Sequence, residues 1–596
     1  MREEVLVSFL FGTYIVLSFI CLGYFFVSRF IFRHSRPNLA IEFSISLSVG
    51  FGVYSLLYYF VYCFASNLSI AFILVLQTFG IALGYTIFIV IYQWSKSFIS
   101  QIRFPKIEMI LWTLLFITVG SFLMLMMFQA LTPVKLGDAI TGYIETSRWI
   151  YHNGFSTYDP YNTKYSTFPA LTEVIYSLSF AIHTEIAAKV IDGFFGLAFI
   201  LAIFGFASQY MNRSLALFCG LTFTMLQQYT WLFGGGKIDM VSQFIAFSGL
   251  VCLLLNNKQV FNFRFILLST FLLGISIAEK YTNVLFLPFF FIYIIYILRW
   301  HKYNIKQITG YISLLCGIVF IIILPHFIKD YIWVHNPFAP FINPLFRSDF
   351  EIQQHFNGDA SFTSWRDTLL FPYYFFIGGK NLPIVILIGL ILYVVKKWKS
   401  RGKSISPLVF FGLVELFIWM ILFKNYWFNE RFIFAFIALF FCMTLSEFQD
   451  YYVKYKLVRL LLLVYFVVSF TYYVYHVKRF ANYAKFITGK QTEAEWEDQN
   501  GNKSVTILKS ISDSLDSNHK LFTPNWNIMY PISYDKLKFV STNMQIIEAS
   551  KSGDIKQYLQ EEHYAYIFVY NAGDDIPSFL KKRIVLKDRN GVIYGI

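Results

Sequence analysis

The chain has 596 residues, of which 57% are hydrophobic and only 14% charged, with a mean hydropathy of +0.55. That much apolar surface excludes a soluble globular enzyme and requires a polytopic membrane protein. The formal net charge of +14 does not signal a nucleic-acid partner, because the basic residues sit in short clusters between apolar runs.

In chain order, apolar runs long enough to cross a bilayer fall at 5–28, 41–64, 69–93, 107–129, 186–210, 214–233, 238–256, 264–279, 282–299, 308–328, 381–396, 405–423, 431–446 and 457–477. They amount to roughly fourteen helices. Basic clusters flank them: Arg29, Arg33 and Arg36; Lys96, Arg103 and Lys106; Arg299, Lys302 and Lys306; "KKWKSRGK" at 396–403; and Lys454, Lys456 and Arg459. Placing all of these in the cytoplasm lets the spans alternate without conflict, as the positive-inside rule requires. The N-terminus, the loop at 130–185 and the tail after 478 then lie outside. "MREE" offers no basic n-region or small-residue cleavage site, so the first span is expected to be retained. The cysteines at 21, 63, 219, 252, 316 and 442 all fall in predicted helices and are expected to be buried packing residues.

Four parts emerge. Residues 1–106 form an N-terminal block of helices with few polar features. A membrane core runs over 107–478 and carries two long outer loops, 130–185 and 329–380. Residues 479–503 are a polar linker. Residues 504–596 change character and read as a small α/β domain outside the membrane. There "SVTILKSISDSL" and "SGDIKQYLQEE" look helical, "HKLFTP" and "YAYIFVY" strand-like, and "RIVLKDRNGVIYGI" a hairpin turning at Asn590-Gly591. The fold class is therefore an all-α polytopic membrane protein with an appended α/β domain.

Polar residues gather at the predicted outer level. Asp138 follows the fourth span by about nine residues, in "KLGDAITGYIETSRWIYHNG". From 137 to 153 the spacing predicts a helix on the membrane surface, with Tyr143, Trp149 and Tyr151 as interfacial anchors. Residues 170–183 are apolar but too short to span, so a re-entrant or interfacial helix is expected. Lys164 and Glu173 flank its start and are placed to face Asp138. "GGGKIDM" sets Lys237 and Asp239 at the start of an inward-going helix. "AEKYTN" sets Glu279, Lys280 and Tyr281 at a tight turn, and "KNYWFNERF" sets Lys424, Glu430 and Arg431 at another. Singly, each is equally explained by a charged side chain snorkelling to water at a helix end. Their convergence on one side of the membrane points instead to a site that holds an anionic phosphate while a hydroxyl loses its proton.

"GDAITGYIETSRWIYHNGF", an Asp shortly after a span with downstream Tyr and His and a closing Gly, resembles the first outer loop of the C superfamily of membrane glycosyltransferases. "TKYSTFPALTEVIYSLSF" is similar to the Pro-led helix that follows, and "EIAAKVIDGFFGL" to the next span. "KIDMVSQFIAF", "AEKYTNVLFLP" and "DYIWVHNPFAPFINPLF" look like later stations of bacterial members, and "NERFIFAFIALF" like their Arg-containing late helix. The resemblance covers about 107–478, within the branch that includes dolichyl-phosphate-mannose and aminoarabinose transferases. Three additional spans precede the usual first helix.

The resemblance implies transfer of a hexosyl or pentosyl group, with inversion, from a polyprenyl-phosphate-linked sugar to a lipid, glycan or protein acceptor. The reaction would run on the outer face of a bacterial plasma membrane. Asp138 would be the general base. Lys280 and Arg431, then Lys237, would stabilise the departing lipid phosphate. Lys164 and Glu173 would position substrate, with Asp239, Tyr281, Tyr143 and His152 lining the site. No Asp-x-Asp or paired-acid motif occurs in the first loop, so no cofactor is assigned and a divalent metal stays open. A transporter or flippase for lipid-linked glycans is the alternative. It would share the apolar core and cationic cavity but need neither the polar loop nor an outer domain. A surface-polysaccharide ligase fits poorly, because the 329–380 loop is not Arg-rich. A non-enzymatic scaffold that docks partners through its tail is the remaining reading.

Overall fold

The computed structural model describes residues 2–31, 38–101, 106–134, 139–155, 167–256, 261–339, 433–476, 480–492, 495–496 and five short strands between 520 and 595. Three helices open the chain: α1 (Glu3–Phe26), α2 (Leu39–Tyr62) and α3 (Ile70–Gly84). α1 packs against both others at backbone contact. A Cβ on Gly23 would strike the carbonyl of Ser46, and one on Gly50 that of Phe19. Small residues permit this approach where two apolar helices have no hydrophobic gain to drive them together in lipid. A buried polar link adds to it, since Gln77 donates to the Tyr58 hydroxyl (3.1 Å) and accepts from Ser18. The block expected to carry few polar features thus contains a hydrogen-bonded core.

The next elements are α4 (Thr86–Gln101), α5 (Lys106–Ala130), α6 (Ile144–Asn153), α7 (Leu171–Ser177), α8 (Ile186–Ala207), α9 (Arg213–Thr224) and α10 (Gln227–Leu232). They continue through α11 (Asp239–Leu254), α12 (Phe263–Glu279), α13 (Phe286–Trp300), α14 (Ile305–Val334), α15 (Phe434–Ser446), α16 (Gln449–Lys454), α17 (Lys456–His476) and α18 (Phe480–Ile487). Among the described residues, six helices are long and apolar enough to cross a membrane. A seventh is counted if Ile70–Gly84 and Thr86–Gln93, bent by 53° at their junction, form one span. The expected single run at 69–93 is therefore broken, and 214–233 is divided between α9 and α10. The expected spans at 381–396 and 405–423 lie outside the described residues.

Hydrogen bonds between loops define the two ends of the bundle. At one end Asn67 donates its backbone N–H to the Tyr151 carbonyl (2.6 Å), Arg2 to Ile487 (2.9 Å), and the Tyr59 hydroxyl to Pro325 (3.4 Å). At the opposite end the Asn38 side chain donates to Gly205 (2.7 Å), the Asn212 N–H to Gln449 (2.9 Å), and the Tyr293 hydroxyl to Asn256 (2.9 Å). The stretches 62–70, 144–153 and 234–239 and the turn at 280 thus share one end, as the alternation of basic clusters required.

Two expectations change. Cys63 caps α2 and is exposed, as is Cys316; only Cys21, Cys219, Cys252 and Cys442 are buried. The surface helix expected at 137–153 is instead sunk into the protein. It begins with a π-turn (Ala139–Tyr143) and continues as α6, with Ile144, Ile150 and Tyr151 buried. Its apolar face is covered by α7 and by the 62–68 turn, where the Tyr151 hydroxyl reaches the Leu68 carbonyl (3.3 Å). Tyr143 and Tyr151 are therefore enclosed by protein and do not anchor it to an interface.

In the C-terminal region, β1 (Lys520–Phe522), β2 (Val540–Ser541), β3 (Tyr564–Tyr570), β4 (Ile584–Lys587) and β5 (Gly591–Gly595) form one sheet in the order β2-β1-β3-β5-β4. β1 runs parallel to β2 and β3, whereas β5 is antiparallel to both β3 and β4. The two helices expected in this region, at 504–515 and 552–562, lie outside the described residues.

Candidate active site

At the end of the bundle that holds residues 62–70, charged side chains from several elements meet below the surface. The first comes from α7, a short helix outside the membrane-spanning segments and buried along its whole length. Its Ser177 hydroxyl donates to the Tyr62 hydroxyl (2.9 Å), which ties it to α2. Glu173, in its first turn, is 1% exposed. Burial pushes its carboxyl up to about 8, and the nearby Lys329 and Lys280 ammonium groups only partly oppose that shift. At neutral pH Glu173 is therefore protonated, and it can donate as well as accept a hydrogen bond.

That state carries a stability signature. The folded-state pKa lies above the ordinary 4.5. The unfolded chain therefore gives up this proton first, and stability falls as pH rises between the two values. Glu173→Gln removes the slope. The melting temperature of the wild type, relative to the variant in the same detergent, is expected to drop between pH 5 and pH 8.5. A pH-independent difference would mean that Glu173 is ionised in the fold.

The second group lies where α11 starts and α12 ends. Lys280 leaves α12 in an extended conformation (φ −152°, ψ 116°), which stops the helix and sends the side chain across to α11. There its ammonium forms an ion pair with Asp239, which is fully buried in the first turn of α11. A carboxylate at that position is also favoured by the helix dipole. Glu279, one residue earlier, is fully buried beside Glu173. Below them Asn283 donates to Ser276 and Ser242 and accepts from Gln243 (2.6 Å), locking the turn onto α11.

The third group was not singled out from sequence. α14 continues to Val334, past the expected loop start at 329, and ends where His335 takes a left-handed φ of 55°. His326, Lys329 and Asp330 consequently share one helix face, and all are buried. Asp330 lies 3.2 Å from the Lys329 ammonium and 3.1 Å from His326 Nε2. Lys329 also donates to the Phe168 carbonyl (3.2 Å), and the His326 ring stands 5.4 Å from that of Tyr281. The i, i+3, i+4 spacing in "HFIKD" was the available signal, and counting Lys329 as a loop residue concealed it.

Of the residues expected in a site, Glu173, Asp239, Lys280 and Tyr281 are brought to this cluster. Lys237 is adjacent: its carbonyl accepts from the Tyr176 hydroxyl (3.4 Å) and its ammonium lies 3.7 Å over the Trp231 ring. Tyr143 is buried in the turn that begins α6. His152 Nδ1 lies 3.0 Å from Asn67 Oδ1, and burial with nearby Arg148 pushes its pKa down to about 4, so the ring is neutral. Asp138, Lys164, Lys424, Glu430 and Arg431 lie outside the described residues. Among the described residues, no group of three or more His, Cys, Asp or Glu is placed to hold a metal ion.

No protein-family model and no curated protein matches this sequence. Similarity appears among solved structures. ArnT from Cupriavidus metallidurans bound to undecaprenyl phosphate superposes with a TM-score of 0.50 at 12% identity, over 81% of this chain and 97% of its own. The chain thus shares the overall fold of that ArnT structure. The apo state of the same ArnT matches at a TM-score of 0.46 and 13% identity with the same coverage. The archaeal oligosaccharyltransferase AglB from Archaeoglobus fulgidus, in complex with an inhibitory peptide and a dolichol-phosphate, gives 0.40 at 13% identity, over 76% of this chain and 69% of its own. Of the three N-terminal helices, α1 and α2 pack directly on α8 and α3 packs on α1, so they belong to the same helical core.

Proposed function

We propose that the chain is a membrane glycosyltransferase that moves a sugar from a polyprenyl-phosphate donor to a cell-envelope acceptor on the extracytoplasmic face. The observation that carries this reading is the convergence of buried Asp239, Lys329, Asp330, His326 and Glu173, with the half-buried Lys280, at one end of a bundle with this fold. Burying so many ionisable groups is costly unless they serve a ligand, and a departing lipid phosphate is an anion that needs cations in a water-poor site.

In this reading the acceptor oxygen attacks the anomeric carbon from the face opposite the phosphate. The bond from that carbon to the phosphate oxygen breaks, and the acceptor proton passes to the Asp138 carboxylate. Lys280 and Lys329 face the phosphate, with Arg431 and Lys237 completing its charge. Asp239 and Asp330 hold these two ammonium groups in place. Neutral Glu173 positions a sugar hydroxyl, together with Lys164 and Tyr281. Tyr143 and His152 shape the wall behind the loop.

The test uses the full chain in proteoliposomes with a polyprenyl-phosphate sugar labelled in the sugar. Label is expected to leave the lipid and enter an acceptor from envelope extract, and added polyprenyl phosphate is expected to inhibit as the released product. Movement of intact labelled lipid across the bilayer, with no cleavage, would establish the transporter instead.

A further inference from the structure

A junction of three elements lies just behind the candidate site. The end of α5, the turn at 233–236 and the first two turns of α8 meet there without free space. Gly234 takes a left-handed φ of 59°, and a Cβ on it would come within 2.5 Å of Ala130 Cβ. The Gln129 side chain donates to the Phe233 carbonyl (3.1 Å). Two charged residues of α8 complete the junction. Lys189, 2% exposed, donates its ammonium to the carbonyls of Gln129 (2.9 Å), Thr132 (2.5 Å) and Pro133 (3.1 Å). Asp192, fully buried, accepts the N–H of Gly236 at 3.2 Å. A cation placed on the carbonyls at a helix C-terminus satisfies groups that the helix cannot satisfy itself, and it meets the negative end of the dipole.

The chain leaves this junction in two directions that matter. Four residues beyond Val134 it reaches Asp138, and from Gly236 it passes directly to Lys237 and Asp239. We infer that Lys189 and Asp192 are positioning residues: one turn of α8 grips the two site-bearing segments and sets them in a common register. The inference rests on the glycosyltransferase reading and extends it to residues that touch neither donor nor acceptor. A buried lysine that only closed a helix end would stabilise the fold without coupling to the chemistry, and the two roles differ in what they predict.

The experiment compares wild type, Lys189→Met, Lys189→Arg and Asp192→Asn in nanodiscs by two measurements. One is hydrogen–deuterium exchange of peptides covering 129–138 and 231–240. The other is kcat and KM for a polyprenyl-phosphate sugar. Lys189→Met is expected to speed exchange in both peptides, because releasing one segment loosens its neighbour across the junction. It should lower kcat about 100-fold, the penalty for a misplacement near 1 Å, while KM for the donor stays within about threefold since the phosphate-facing cations remain. Lys189→Arg, which keeps the cation, should recover most of kcat. Asp192→Asn should act mainly on 231–240.

Exchange that does not change in Lys189→Met would overturn the clamp whatever the activity. Faster exchange with kcat unchanged would overturn the positioning role, as would kcat loss that tracks only the amount of folded protein and is not recovered by arginine. If the wild type transfers no sugar from any lipid-linked donor, the glycosyltransferase reading fails and the role in catalysis fails with it. The exchange comparison then still decides the clamp.

Discussion

Asp138→Asn is expected to lower sugar transfer by about 10²- to 10⁴-fold, the range for losing a general base, and to leave donor binding intact. Asn preserves the shape of the side chain and one accepting oxygen, but its amide nitrogen only donates, so it cannot take the acceptor proton. The acceptor hydroxyl becomes acidic only as its bond to the anomeric carbon forms, so the base needs no raised pKa, only reach. The loss should therefore appear in kcat, with KM for the polyprenyl-phosphate sugar little changed. Measuring single-turnover transfer at saturating donor isolates that step. Full activity in Asp138→Asn would remove Asp138 from the mechanism and direct the search to the buried acids of the candidate site. Of those, Glu173 is protonated at neutral pH and Asp239 is paired to Lys280. Asp330 is paired as well, to Lys329, but His326 beside it could relay the proton, which makes it the next candidate.

The sequence made the membrane character and the shared end of the polar stretches legible for a simple reason. Hydropathy and basic clusters are properties of single segments, and alternation then orders the loops. Glu173, Asp239 and Lys280 could be named because they stand at the ends of apolar runs, where a charge is conspicuous. Lys329 and Asp330 were hidden, and His326 with them, because α14 continues past the end of the apolar run to Val334. The apolar run ends at 328, where the charges of Lys329 and Asp330 begin, so the last stretch of the helix reads as loop. Lys189 and Asp192 were quoted in "EIAAKVIDGFFGL" and passed over. Their partners are backbone groups some 44 to 60 residues away in sequence, and no spacing rule reveals a contact with a main-chain carbonyl. The burial of α6 was missed for a related reason: its aromatic residues suit a membrane interface and a protein interior equally well.

The pair of Lys280 and Asp239 allows stability and function to be separated. Lys280→Met leaves a fully buried carboxylate without its ion-pair partner, with Asp192 close enough to feel its charge. Breaking a buried pair from one side costs about 3–5 kcal/mol, so the variant should melt well below the wild type. Asp239→Asn should cost less, since the Lys280 side chain is 12% exposed and can turn towards water. Combining the two removes both charges and should return much of the stability lost in Lys280→Met, a non-additive result expected of residues in contact. Transfer should behave differently. If Lys280 faces the departing phosphate, the stable double variant remains as impaired as Lys280→Met, because nothing has replaced the cation. Thermal unfolding and transfer measured on the same four proteins decide it. Recovery of transfer together with stability would reduce Lys280 to a structural partner of Asp239 and leave Lys329 as the buried cation for the phosphate.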